Sequence, residues 1–167
     1  MKRCRWAQGD EKLMQYHDCE YGKKKGNDDE LFEKLCLECF QAGLSWRTVL
    51  YKREALRKRF YGFKPERIIL IGDEEIREMM NDESLIRNRR KIEAVIENAG
   101  LQAALFPDEG SFSSYVYSFG SGAALSQDLK RKGYRFAGPV ICESFLMSVG
   151  AIEGHEPQCF LYGRGRD

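Results

Sequence analysis

Residues Leu37–Trp46 read LECFQAGLSW, and the acid among them is out of place. Glu38 falls on the same helical face as Leu31, Leu35 and Ala42, where a carboxylate is almost never buried unless it is paired or has chemical work to do. Two readings stand: an ion pair with an arginine from a neighbouring helix, or a carboxylate facing a pocket. A second group of chemistry-bearing residues lies at the two ends of the chain. Cys4 and His17 near the start, with His155 and Cys159 (HEPQC) near the end, make a Cys2His2 set. The His-x3-Cys spacing lets one helical turn or a tight loop present both side chains to one ion. A closed tetrahedral set of thiolates and imidazoles suits a structural zinc, because no position is left for water. On spacing alone, Cys19 and Cys142 remain alternative ligands. Cys36 and Cys39 form a C-x-x-C, but a redox pair needs its first thiolate at a helix N-terminus. These two fall deep inside a helix and read as core cysteines.

The frame that must position these residues is helical. Strand signals are poor, and the ~3.6-residue period is widespread, which predicts an all-α fold. Asn27 is an N-cap followed by Asp28, Asp29 and Glu30 in the first turn, where acids favour the helix dipole. Gly43 ends that helix. A second begins near Ser45 and buries Trp46, Val49, Leu50, Leu56 and Phe60. Short helices are expected around Pro65 to Ile71 and Asp73 to Met80. Asn88 caps a longer one with Ile92, Val95, Ile96 and Ala99 inward, and Phe112 to Phe119 is ambiguous. Towards the end, a helix near Gly122 to Lys132, a tight hairpin GYRFAG (Gly133 to Gly138) and a helix from Pro139 to Val149 follow one another. Pro139 suits a first helical turn and Gly150 a stop. Glycines flanking a hairpin at a helix N-terminus expose N–H groups suited to phosphate. The plainer alternative is an ordinary helical hairpin.

At 167 residues the chain reads as one domain, 1–167, with a hydrophobic fraction of 43% and a mean hydropathy of −0.54. MKRCRW followed by AQGDEK has no apolar core of a signal peptide, and no apolar run is long enough to span a membrane. A cytoplasmic protein with its six cysteines as thiols or metal ligands is expected. The net charge of +1 says nothing about nucleic acid, but the distribution is uneven. Arg47 to Phe60 holds six Lys/Arg against one Glu, and RNRRK (87–91) and KRKGYR (130–135) are also basic. Those runs are either solvated helix faces or a phosphate-facing surface.

Taken together, RCRW (3–6), YHDCEYG (16–22), LECFQAGLSW, RKIEAVIENA (90–99), KRKGYRFAGPVICESF (130–145) and HEPQC (155–159) resemble the type I 3-methyladenine-DNA glycosylases of bacteria, in order and over nearly the whole chain. The resemblance implies a helix-hairpin-helix glycosylase fold, with the motif at about 122–149. It also implies a structural Zn2+ on Cys4, His17, His155 and Cys159, anchoring 1–20 to 152–160. The implied activity is monofunctional hydrolysis of the N-glycosidic bond of 3-methyladenine in double-stranded DNA, by a monomer. Three positions depart from the family pattern. Tyr21 stands where Trp is usual, KKKGN (23–27) lacks a nearby proline, and Cys39 replaces a small residue.

The resemblance also implies roles for individual residues. A base inside a duplex must flip out to be reached, and a lesion that stacks and pairs poorly flips more easily. N3-methylation makes adenine cationic, so Tyr16 and Trp46 are expected as π-faces, worth ~0.5–2 kcal/mol each, with Tyr21 beside them. Glu38 is expected to favour the cation electrostatically and to accept a hydrogen bond from the base. The bend Gln41–Ala42–Gly43–Leu44 is expected to enter the stack with Leu44 as the plug, and Gly133 and Gly138 to hold backbone phosphate. No Asp occurs between Asp128 and Asp167, and no Lys stands out as a Schiff-base nucleophile, consistent with hydrolysis of an already activated leaving group. The readings that compete are a catalytically silent, zinc-anchored DNA-binding module and a glycosylase of altered alkylpurine specificity.

Overall fold

Five of the helices start where the sequence offers a side-chain acceptor. In a computed structural model describing residues 1–164, Asp10, Asn27, Ser45, Asn88 and Ser121 all accept N–H groups from the first turns of the helices they precede. Such caps typically stabilise a helix by ~1 kcal/mol each. The described residues form α1 (Glu11–Cys19), α2 (Asp28–Gln41), α3 (Trp46–Arg59), α4 (Pro65–Ile68), α5 (Asp73–Met80), α6 (Arg89–Leu105), α7 (Ser111–Tyr117), α8 (Gly122–Arg131) and α9 (Pro139–Ser148). Single 3-10 turns occur at Arg5–Ala7 and Tyr61–Phe63, and no strand is present among the described residues. The all-α expectation holds. The ambiguous stretch near Phe112 is α7, and the helix expected to reach Ile71 stops at Ile68. The one helix the sequence reading did not draw is α1, although Leu13, Tyr16 and His17 have the i, i+3, i+4 spacing of a buried face.

α2 is the centre of the molecule. Every residue from Leu31 to Phe40 is buried, so this helix has no solvent face and its charges are interior charges. Its two ends are tied down by other helices. Lys91 of α6 turns its ammonium inward and donates to the carbonyls of Phe40 (2.8 Å) and Ala42, groups that a helix C-terminus otherwise leaves unsatisfied. At the other end the Asp28 carboxylate accepts N–H groups from Gly110 (3.0 Å), Phe112 (3.3 Å) and Ser113 (2.9 Å), capping α7 from outside. Asp28→Ala should therefore lower stability by about 2 kcal/mol, or a melting temperature by roughly 4–8 °C. An unchanged melting curve would show that water replaces the carboxylate at no loss.

α8 and α9 cross closely. A Cβ at Gly122 would lie 2.4 Å from the backbone nitrogen of Glu143, so only glycine fits there. The segment between them is locked from the side. Asn98 of α6 accepts from the Arg135 N–H (2.8 Å) and donates to the Arg135 carbonyl (3.0 Å), while the buried Tyr134 hydroxyl donates to Gln102 (2.8 Å). Gly150 follows α9 at φ +73°, where a Cβ would strike the Gly22 carbonyl at 2.5 Å. The segment after α9 is thus pressed onto the one after α1, and the Phe160 N–H donates to the Lys2 carbonyl at 2.9 Å. No helix among the described residues is long and apolar enough to cross a membrane.

Candidate active site and metal cluster

A cavity of about 390 Å3 opens between α1, α2, α3 and α9, within the range of small-molecule sites. Trp6, Tyr16, Tyr21, Glu38, Gln41 and Trp46 are among its walls. The Tyr16 and Trp46 rings are 5.2 Å apart between centroids at 46°, and Trp6 meets the Tyr21 ring edge-on at 4.9 Å. The structure therefore brings Tyr16, Tyr21, Glu38 and Trp46 to one cavity, with Gln41 at its rim. Trp6 is an addition. It lies in the RCRW motif two residues after Cys4, and nothing in its spacing marks it as a cavity wall.

Glu38 is 5% exposed, and no hydrogen bond or ion pair reaches its carboxylate among the described residues. The arginine that might have paired with it is engaged elsewhere. Arg53 binds Glu20 (2.8 Å) and Glu33 (3.0 Å), and Arg57 also binds Glu33 (2.9 Å). Burial pushes the Glu38 carboxyl up to about 7, opposed only by the Lys34 ammonium. Trp46 contributes a second unspent group: its indole N–H is buried without a partner. The cavity wall thus carries a carboxylate with no protein partner and a buried indole donor with none among the described residues, where buried donors are normally satisfied. Lys34 is the other residue missed from sequence. It is 1% exposed, and its ammonium donates to the Tyr16 hydroxyl at 2.6 Å. A lysine in a central helix was a readable signal, hidden by the acid four residues on.

The bend after α2 stays at the surface. Gly43 adopts φ +76°, a left-handed conformation glycine takes without strain, and the Leu44 N–H closes the turn on the Gln41 carbonyl at 2.7 Å. Leu44 is 39% exposed, next in sequence to Ser45, which lines the cavity. At the other proposed DNA contact the outcome is mixed. Gly133, at φ +93°, and Tyr134 donate to the carbonyls of Lys130 and Leu129, and Arg135 to Asn98. Free N–H groups are consequently expected at the start of α9, after Gly138, rather than throughout the hairpin. The basic runs divide as well. Arg53 and Lys91 point inward, and Arg131 and Lys132 pair with Asp128.

Cys4, His17, His155 and Cys159 are all buried, with ligand atoms within 4.8 Å of one another. Cys4 Sγ and Cys159 Sγ each lie 3.7 Å from His155 Nδ1, and Cys159 Sγ lies 3.4 Å from His17 Nε2. Zinc bond lengths of ~2.3 Å to sulfur and ~2.0–2.1 Å to nitrogen place such atoms ~3.6 Å apart across a tetrahedron. The cluster could hold a metal ion. Its supports are in place too: His17 Nδ1 faces Asp18 at 2.8 Å, and Arg3 clamps that carboxylate (2.7 Å) and holds it at about 2. The N–H groups of Glu156 and Leu161 point at the two sulfurs, at 3.3 and 3.4 Å. The alternative ligands are set aside. Cys19 is exposed, and Cys142 is buried with its thiol on the Ala137 carbonyl. Cys36 and Cys39 are buried in α2, as core thiols.

Among the described residues the fold is all-helical, and a buried acid lines an aromatic cavity. The chain belongs to the methyladenine glycosylase family, which matches residues 6–125 and 120–162. It is 35% identical to DNA-3-methyladenine glycosylase 1 of Escherichia coli, over 97% of each chain. It is 36% identical to the DNA-3-methyladenine glycosylase of Haemophilus influenzae, over 94% of this chain and 96% of the relative. Among solved structures, 3-methyladenine DNA glycosylase I from Staphylococcus aureus superposes with a TM-score of 0.88 at 30% identity, covering 96% of both chains.

Proposed function

We propose that this protein excises 3-methyladenine from double-stranded DNA by hydrolysing its N-glycosidic bond, and that Glu38, Tyr16, Trp46 and Tyr21 receive the extruded base. The observation that carries this reading is the unpaired, buried Glu38 in an aromatic cavity. Such a carboxylate is unfavourable until a cation arrives, so its free energy favours the methylated base over neutral adenine. The unspent Trp46 N–H offers a donor to the edge of the same base. The cation is already a good leaving group, so the site has selection as its main task rather than bond-breaking. A silent DNA-binding module needs neither the cavity nor the acid.

In this reading Leu44, exposed on the Gly43 bend, fills the gap left by the flipped nucleotide, with Gln41 beside it. The α8–α9 pair acts as a helix-hairpin-helix, the start of α9 after Gly138 meeting a phosphate and Gly133 shaping the turn. Zinc is the ion whose ligand chemistry suits the two thiols and two imidazoles. It would be structural, since every ligand comes from protein. Tyr21, with its hydroxyl on the Gly154 carbonyl at 3.2 Å, leaves the cavity wider than a tryptophan would.

Incubating the purified protein with methylated duplex DNA and identifying the released bases tests the assignment. Release dominated by 3-methyladenine is expected. Release mainly of 7-methylguanine would move the specificity, and no release at all would leave only a DNA-binding module.

A further inference from the structure

Lys34 stands one helical turn before Glu38 on α2, on the same face. Its ammonium donates to the Tyr16 hydroxyl at 2.6 Å, and lies 4.1 Å from the Tyr16 ring centroid and 5.2 Å from that of Trp46. One buried cation therefore stands behind both rings of the cavity. The charged groups that bear on it are Glu20 just after α1, Lys25 from the connection before α2, Glu38 from its own helix and Arg53 from α3. Of these, Glu20 is taken up by Arg53, which leaves Glu38 as the acid with no other counter-charge.

We propose that Lys34 is a positioning residue of the base site, whose ammonium fixes the Tyr16 hydroxyl and keeps Glu38 ionised in the free enzyme. Resting on the assignment of Glu38 to the base, it adds a residue that touches no substrate and acts through two that do. Burial works against both charges, bringing the Lys34 ammonium down to about 7 and the Glu38 carboxyl up to about 7. Each charge is favoured by the other, so removing one shifts the other towards neutrality. A protonated Glu38 offers no charge to a cationic purine.

The test compares the pH dependence of kcat/KM for base release by the wild type, Lys34→Met, Lys34→Gln and Glu38→Gln. The acid limb of kcat/KM reports groups of the free enzyme. In both Lys34 variants it should move to higher pH by about one unit, the scale of a lost neighbouring charge. Towards high pH the curves should converge, because the wild-type lysine is itself neutral there. Lys34→Met should melt no lower than the wild type, since an apolar side chain of similar volume often replaces a buried charge without loss. Coincident acid limbs in the wild type and the Lys34 variants would overturn the proposal, and a destabilised Lys34→Met with an unmoved limb would reduce Lys34 to a structural ion. Should Lys34→Met not fold, the limb of Lys34→Gln decides alone. The Glu38→Gln arm separates the two levels. Wild-type excision there would remove Glu38 from the site, whereas impaired excision with unmoved limbs would defeat only the role of Lys34.

Discussion

Glu38→Gln should slow base release by about 10²-fold or more while leaving affinity for undamaged DNA within a few-fold. The magnitude follows from removing one preorganised electrostatic contact in a water-poor site, which elsewhere costs about 10²–10³ in kcat. Glutamine keeps the shape and a hydrogen-bond acceptor but removes the charge proposed to separate a methylated purine from a normal one. Single-turnover release from methylated duplex DNA, with binding measured in parallel, distinguishes the two effects. Equal loss in binding and release would point to a folding defect or a backbone contact.

The same substitution should stabilise the protein, and with a particular sign. Burial raises the Glu38 carboxyl from 4.5 to about 7. A group raised in this way contributes its full stability below the unfolded value and loses it as pH rises through the folded one. Wild-type stability relative to Glu38→Gln should thus fall between pH 4.5 and about 7. Above that window the variant should be more stable by as much as about 3 kcal/mol, the equivalent of the shift. Urea denaturation on either side of the window checks it. A variant less stable at every pH would mean that the carboxylate has a partner in the folded protein.

Cys159→Ser should have the largest effect on stability. Serine is a poor ligand for a soft or borderline ion, and the loss also disturbs His155, four residues away. Metal sites of this kind can supply ~10 kcal/mol or more to small domains. Here the large helical core remains, so a loss of about 4 kcal/mol, or roughly 8–16 °C in melting temperature, is expected, with bound metal falling below one equivalent. Calorimetry and elemental analysis of the purified protein measure both. A metal-free wild type that melts as high as the metal-loaded protein would refute the zinc assignment.

Much of the frame was legible because it is written locally. Asn27, Ser45 and Asn88 announce three helix starts by residue type alone, and the structure uses each as a cap. Gly43 and Gly150 mark their turns for the same reason, as positions with positive φ. What stayed hidden was tertiary. The basic runs look uniform in sequence, yet Lys91 is withdrawn to finish α2 and Arg53 to neutralise two acids, and nothing local distinguishes them from their exposed neighbours. Lys34 was hidden in the same way, since its burial follows from α2 lying at the centre. α1 is hard to see in sequence because Tyr16 and His17 are chemistry-bearing residues as well as its buried face. The cavity residues are legible only through the family resemblance, since an isolated acid on a helix face fits an ion pair as well as a pocket.

The clasp between the ends of the chain has a kinetic consequence. Contacts between residues near 4 and near 159 have the longest loops to close, and such pairings form late. Trp6, a wall of the cavity, is carried on the first of these segments. On a ribosome, most helices are therefore free to assemble while the cavity still lacks one side. The nascent chain is expected to complete that cavity only after residue 159 emerges, a built-in delay between synthesis and readiness.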